Sequence, residues 1–189
     1  TCKTLNSAIS EFFFDRRRAD PYYGALMFKT PSLKPLPKQG DPRKYAQQSI
    51  SLDGFVPVAV LPRLAESLQE TTGEIQVELV FGISVEKKKI VTGHASAELT
   101  LVCQRCLENV KVPVKSDISL GIVWDEEGAE ALPEYLDPWI TGEGIADLYD
   151  MIEVELLLSL PKVAYHEELC VDRQLFTSGK PVEVKKPNP

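Results

Sequence analysis

The chain has 189 residues, 43% of them apolar and 26% charged, with a formal net charge of −7. That is the composition of a soluble globular domain, and it is too acidic for a body that wraps nucleic acid through phosphate contacts. No apolar run approaches the roughly 20 residues of a membrane span. The Phe12-Phe13-Phe14 cluster is too short for a signal-peptide core, so a cytoplasmic location is expected. Cys2, Cys103, Cys106 and Cys170 are the four cysteines. They are too sparse for a disulfide scaffold, and in a reducing compartment a Cys-x-x-Cys pair reads as metal-binding or redox-active.

Charge is unevenly spread. Residues 1–50 hold nine Lys/Arg against four Asp/Glu, and the remainder holds twelve against twenty-four. Between Asp125 and Glu168 the only Lys or Arg is Lys162. The acidic half suits a basic protein partner, or solubility alone, and any nucleic-acid contact would fall to the amino-terminal arm.

In chain order, residues 1–26 show no sustained period. Met27 is expected to be the natural start, which would make 1–26 an extension outside the native fold. From Met27 to Gln48, Pro31, Pro35, Pro37 and Pro42 alternate with Lys and Arg. Proline fixes φ and removes donors, so an extended arm is expected here, solvated or touching RNA. A first strand is expected over Ser49–Val56. A short helix follows from Leu61, with Pro62 at its first position and Leu61, Leu64, Ala65 and Leu68 on one face. Glu74–Ile83 alternates cleanly as a strand, with Ile75, Val77, Leu79, Phe81 and Ile83 on one side. Ile90–Cys103 returns antiparallel, Leu107–Lys115 follows, and Asp117–Trp124 adds a further strand. Residues 125–144 read as an acidic loop. Ala146–Leu160 is the clearest helix, capped by Asp147, striped by Ile145, Leu148, Tyr149, Ile152, Leu156 and Leu160, and stopped by Pro161. Asp150 and Glu153 fall largely opposite the stripe. The expected fold is α+β: an antiparallel meander packed by two helices. It would occupy 49–172, with an arm over 1–48 and a polar tail over 173–189.

The chemistry concentrates at Cys103 and Cys106, which bracket the tip of a predicted hairpin. With His166 and Cys170 they form a Cys-x2-Cys…His-x3-Cys set, enough for a closed, structural zinc site. The bland alternative is that Cys103 is a small core hydrophobe and Cys170 a loop thiol. Thioredoxin-like thiol-disulfide exchange by Cys103 and Cys106 is the competing chemistry. It normally draws on a helix amino-terminus next to the first cysteine, and a strand pattern follows here instead. His94 reads as a surface strand residue, Asp125, Glu126 and Glu127 as a solvated loop, and Trp124 and Trp139 as core or interface. No phosphate loop or dinucleotide fingerprint occurs, so no small-molecule substrate and no enzymatic activity are expected.

Leu101-Val102-Cys103-Gln104-Arg105-Cys106-Leu107 is followed by acidic Ala131-Leu132-Pro133-Glu134. Asp147-Leu148 then opens a helix ending Leu158-Ser159-Leu160-Pro161, and Lys186-Pro187-Asn188-Pro189 closes the chain. In that order these motifs resemble the YceD family of bacterial large ribosomal RNA subunit accumulation proteins, from about Met27 to Pro189. The resemblance implies a non-enzymatic factor supporting synthesis, processing or stability of 23S rRNA. Its implied partners are 23S rRNA or its precursors, directly or indirectly, and ribosomal or assembly proteins. Cys103 and Cys106 match the family's Cys-x-x-Cys. His166 and Cys170 stand where other branches carry additional cysteines, so the second half of a metal site is altered here. Members usually continue beyond the Lys-Pro-Asn-Pro segment with a Phe and a short apolar, basic stretch. Two other readings stay open: a thiol-disulfide oxidoreductase, and a purely structural zinc module.

Overall fold

The structure, a computed structural model, describes residues 34–171. The expectations for residues 1–33 and for the tail from 172 lie outside them. The elements in order are β1 (Gln39–Gly40), α1 (Pro42–Gln47), β2 (Ser51–Pro57), α2 (Pro62–Glu66), β3 (Glu74–Ile83) and β4 (Lys89–Val102). Then come β5 (Asn109–Val123), α3 (Glu126–Glu130), β6 (Asp137–Ile140), β7 (Ala146–Asp147) and α4 (Leu148–Ser159). Five strands form one sheet in the order β2-β3-β4-β5-β6, antiparallel except for the last pair, and β1 pairs separately with β7. The α+β class is as expected.

The alternation read in β3 becomes burial. Ile75, Val77, Leu79 and Phe81 are at most 1% exposed, and their cross-strand neighbours on the same face include Val56, Val91 and Ala95. Burying one such side chain stabilises by roughly 1.5–3 kcal/mol relative to exposure, so this face drives the fold. All of these residues belong to one core cluster with Leu64 of α2, Ala46 of α1 and Leu148, Met151, Ile152 and Leu156 of α4. Tyr45 of α1 sets its ring edge-on against Phe81, centroids 5.3 Å apart. Across the sheet the other face is polar, with Glu78, His94 and Asp117 side by side on β3, β4 and β5. Backbones approach so closely at Gly93 that a Cβ there would lie 1.9 Å from the Glu78 carbonyl oxygen, which admits only glycine.

Four expectations are corrected. The described part of the arm is folded. Lys34 and Leu36 bond through their main chains to Phe55 and seal the outer edge of β2, where Pro35 is tolerated. The amide of Leu148 donates to the Lys38 carbonyl at 2.8 Å, and Asp41 caps α1 by accepting from the Lys44 amide at 3.1 Å. The two strands expected over 107–124 are one, β5, because Ser116 continues its inward phase. That serine is 3% exposed, and its hydroxyl donates to the Glu155 carbonyl of α4 at 3.2 Å. The acidic loop contains α3, capped by Asp125 accepting from the Gly128 amide at 2.9 Å, and β6, which pairs parallel with β5. Ala146 belongs to β7, and α4 begins at Leu148, capped by Asp147. Among the described residues the α-helices therefore number four, where two were expected. None of the helices among the described residues is long and apolar enough to cross a membrane.

Glu153 departs most from its expected setting: it is 3% exposed. The residue that caps helix α2 is Leu61, which has no side-chain acceptor to satisfy the first amides. Glu153 of α4 does so from outside, accepting from the Leu64 amide at 3.0 Å through one oxygen. Its other oxygen takes the Arg63 Nε–H at 3.0 Å. Replacing Glu153 with Ala strands the buried Leu64 amide, while Arg63 keeps Asp150, and is expected to cost about 1–3 kcal/mol. Glu153→Gln keeps an acceptor and should cost less, an order that urea unfolding checks.

Candidate metal centre

The ladder of β4 with β5 ends at the pair Val102↔Asn109, and the chain turns through Cys103–Glu108. Two main-chain bonds close this turn at 2.9 Å each: the Cys103 amide to the Glu108 carbonyl, and the Leu107 amide back to the Cys103 carbonyl. Leu107 adopts φ 64°, the left-handed conformation that completes the reversal. Cys103 is fully buried and Cys106 half-buried. Neither sits at a helix start, the setting a dithiol catalyst normally uses.

The other half arrives from beyond α4. Ala164 is buried and bridges Cys103, its carbonyl accepting from the Gln104 amide at 2.9 Å. Arg105 then reaches across, donating to the carbonyls of His166 and of Glu168, the latter at 3.0 Å. Its guanidinium also lies 5.1 Å from the Tyr165 ring centroid. These contacts hold residues 164–170 against the hairpin tip, so that His166 and Cys170 face the two cysteines.

The ligand atoms of Cys103, Cys106, His166 and Cys170 all lie within 4.8 Å of one another. Cys103 Sγ is 3.7 Å from Cys170 Sγ, and Cys106 Sγ is 3.4 Å from His166 Nδ1. Tetrahedral zinc, with bonds of about 2.3 Å to sulfur and 2.0–2.1 Å to nitrogen, sets sulfurs about 3.8 Å apart and sulfur and nitrogen about 3.6 Å apart. The residues therefore fit the ion. The imidazole is also in the right tautomer: Nε2 lies 3.1 Å from the Asn109 carbonyl, which accepts its hydrogen and leaves the Nδ1 lone pair for a metal.

The thiols are electrostatically unequal. Burial pushes the Cys103 thiol up, but amides of Cys106, Arg105 and His166 pointing at its sulfur, with the Cys106 thiol, bring it down to about 5. Cys170 moves up, first from burial and then from its contacts with the Cys106 and Cys103 sulfurs. The four residues named from sequence come together as one group. Arg105 and Asn109 were missed as its supports. Arg105 carried a signal, a cation between the two cysteines; Asn109 acts through its main chain and carried none. His94 is exposed on the polar sheet face, 3.8 Å from Glu78. Asp125 is a helix cap. Trp139 packs against the core, while Trp124 is half exposed beneath the Arg43 guanidinium.

The fold and site define a small α+β protein in which three cysteines and a histidine gather between a hairpin tip and the segment after α4, a group that could hold a metal ion. The family model "Large ribosomal RNA subunit accumulation protein YceD" matches residues 91–188. The chain is also 33% identical over 159 residues to a Haemophilus influenzae protein of the same name, covering 82% of this chain and 91% of the relative. No solved structure matches. The chain belongs to the YceD family.

In metal-free protein, ultraviolet titration should show one thiolate persisting well below the ordinary cysteine pKa of 9.0 and disappearing near pH 5. Folding favours this ionised form. Its stabilising contribution is therefore full above the unfolded pKa and is lost as pH falls through the folded one.

Proposed function

We propose that this protein supports accumulation of large-subunit ribosomal RNA as a non-enzymatic binding module in the cytoplasm, with one structural zinc ion held by Cys103, Cys106, His166 and Cys170. Family membership supports the first statement. The spacing of the ligand atoms supports the second. Four protein ligands leave no open coordination position, so the bound ion would clasp the hairpin tip to residues 164–170 and activate no water. Arg105 and the Asn109 carbonyl orient the ligands.

The surface favours a basic protein over RNA as the direct contact. Asp125, Glu126, Glu127, Glu130, Asp137 and Glu143 stand exposed around α3 and β6, a field that repels phosphate and attracts Lys/Arg-rich segments. Three cations of the described arm, Lys38, Arg43 and Lys44, are engaged within the chain. Lys38 pairs with Asp147 at 3.9 Å and Lys44 with Asp41 at 3.3 Å, while Arg43 donates to the Gly142 carbonyl at 2.6 Å. The module therefore docks on a ribosomal or assembly protein and meets 23S rRNA or its precursors through it.

Metal analysis of protein purified without chelator should find about one zinc per chain, lost in Cys103→Ser; a content well below one rejects the site. Arg105→Ala, which keeps all four ligands, should weaken zinc binding about 10- to 100-fold. Tagged protein should capture large-subunit proteins from lysate after nuclease treatment, and a Glu126→Lys, Glu127→Lys, Glu130→Lys variant should lose them. Capture abolished by nuclease would place RNA, and not protein, as the direct partner.

A further inference from the structure

Three thiols share one cluster, and they differ in what can reach them. Cys103 is fully buried; Cys106 and Cys170 are partly open to solvent. Cys106 faces the His166 imidazole at 3.4 Å, whereas Cys170 faces the Cys103 sulfur at 3.7 Å. These two sulfurs come from chain positions 67 apart. A bond between them would join the same two segments that the metal joins.

We infer that Cys103 and Cys170 are an oxidation site, at which a peroxide converts the metal clamp into a metal-free disulfide. The open Cys170 sulfur attacks the peroxide O–O bond, becoming a sulfenic acid and releasing hydroxide, or alkoxide from an organic peroxide. The Cys103 thiolate then attacks the Cys170 sulfur, forming the S–S bond and expelling the second hydroxide. Two thiolates lose two electrons in total, and the peroxide takes both. The sulfurs need only close from 3.7 Å to about 2.0 Å. Because Cys103 is buried, peroxide does not reach it directly, so it acts as the resolving thiolate and protects Cys170 from further oxidation.

The two states exclude each other. Once Cys103 and Cys170 are bonded, Cys106 and His166 are the remaining ligands, and two ligands do not retain a structural zinc. Oxidation therefore releases the ion and frees Cys106 and His166, while residues 164–170 stay tethered to the hairpin. Thiol reductant reverses the step. The metal-release half rests on the zinc reading; the disulfide half rests on sulfur geometry alone.

The test uses the full chain treated with hydrogen peroxide, with released zinc followed by a chromogenic chelator and disulfides mapped by mass spectrometry. Trypsin cleaves after Arg105, so Cys103 and Cys106 fall on separate peptides. The expected result is a Cys103–Cys170 cross-link, one zinc released per cross-link, and recovery of both thiols and metal binding after reduction. Cys106→Ser should still form the cross-link. A zinc-loaded protein that yields a Cys103–Cys106 bond, or no bond, overturns the inference and leaves the metal site standing. A protein without zinc that still forms Cys103–Cys170 overturns the metal reading and upholds the disulfide. Loss of the cross-link in folded Cys106→Ser, checked by circular dichroism, also overturns it.

Discussion

The pairing of β4 with β5 is the constraint on which the rest depends. It runs without a break from Ile90↔Gly121 to Val102↔Asn109, so one register fixes both faces and both ends of the longest hairpin. A slip of one residue would turn Val91, Ala95 and Leu99 outward and Thr92, His94 and Ser96 inward. The same register ends the ladder where the chain must reverse, and so places Cys103 and Cys106 at its tip. At the other end it sets Leu120–Val123 beside β6, and midway it turns Ser116 toward α4.

Helix α4 is the second organiser, and its polar groups do as much as its apolar stripe. Leu148, Met151, Ile152 and Leu156 bury one face against the sheet. Asp147 caps its own helix, while Glu153 caps α2, whose sequence supplies no side-chain cap. The short α2 is thus held by a carboxylate from a distant part of the chain. A helix of five residues could not persist on local bonds alone.

The sheet and the ligand set were legible in the sequence because both follow local rules. Alternation in 74–83 gave β3 its bounds, and cysteines three apart after a strand announced a hairpin tip. What escaped was held by partners far along the chain. Residues 34–40 have no periodic pattern, and their order comes from main-chain bonds to Phe55 and to Ala146–Leu148. Glu153 stands three residues after Asp150 and shares its chemistry, and both pair with Arg63, yet only Glu153 is buried, because it alone reaches past the guanidinium to the Leu64 amide. Ser116 looked like a break because its satisfying acceptor, the Glu155 carbonyl, lies on another element. The Asp41-Pro42 pair was a readable helix start, obscured by the prolines around it.

The stitch between β1 and β7 bears on how the chain is made. The Tyr149 hydroxyl and the Leu36 carbonyl that it reaches are 113 positions apart, and the β1–β7 bonds span a comparable stretch. Synthesis proceeds from the amino end, so residues 36–40 emerge long before their partners exist, and closing so long a loop is slow. The sheet's middle strands can pair while translation continues, but residues 36–40 meet their β7 and α4 partners only after residues 146–149 have emerged. A ribosome that stalls before β7 and α4 emerge leaves the main-chain groups of Gln39 and Gly40 without those strand partners, open to wrong ones.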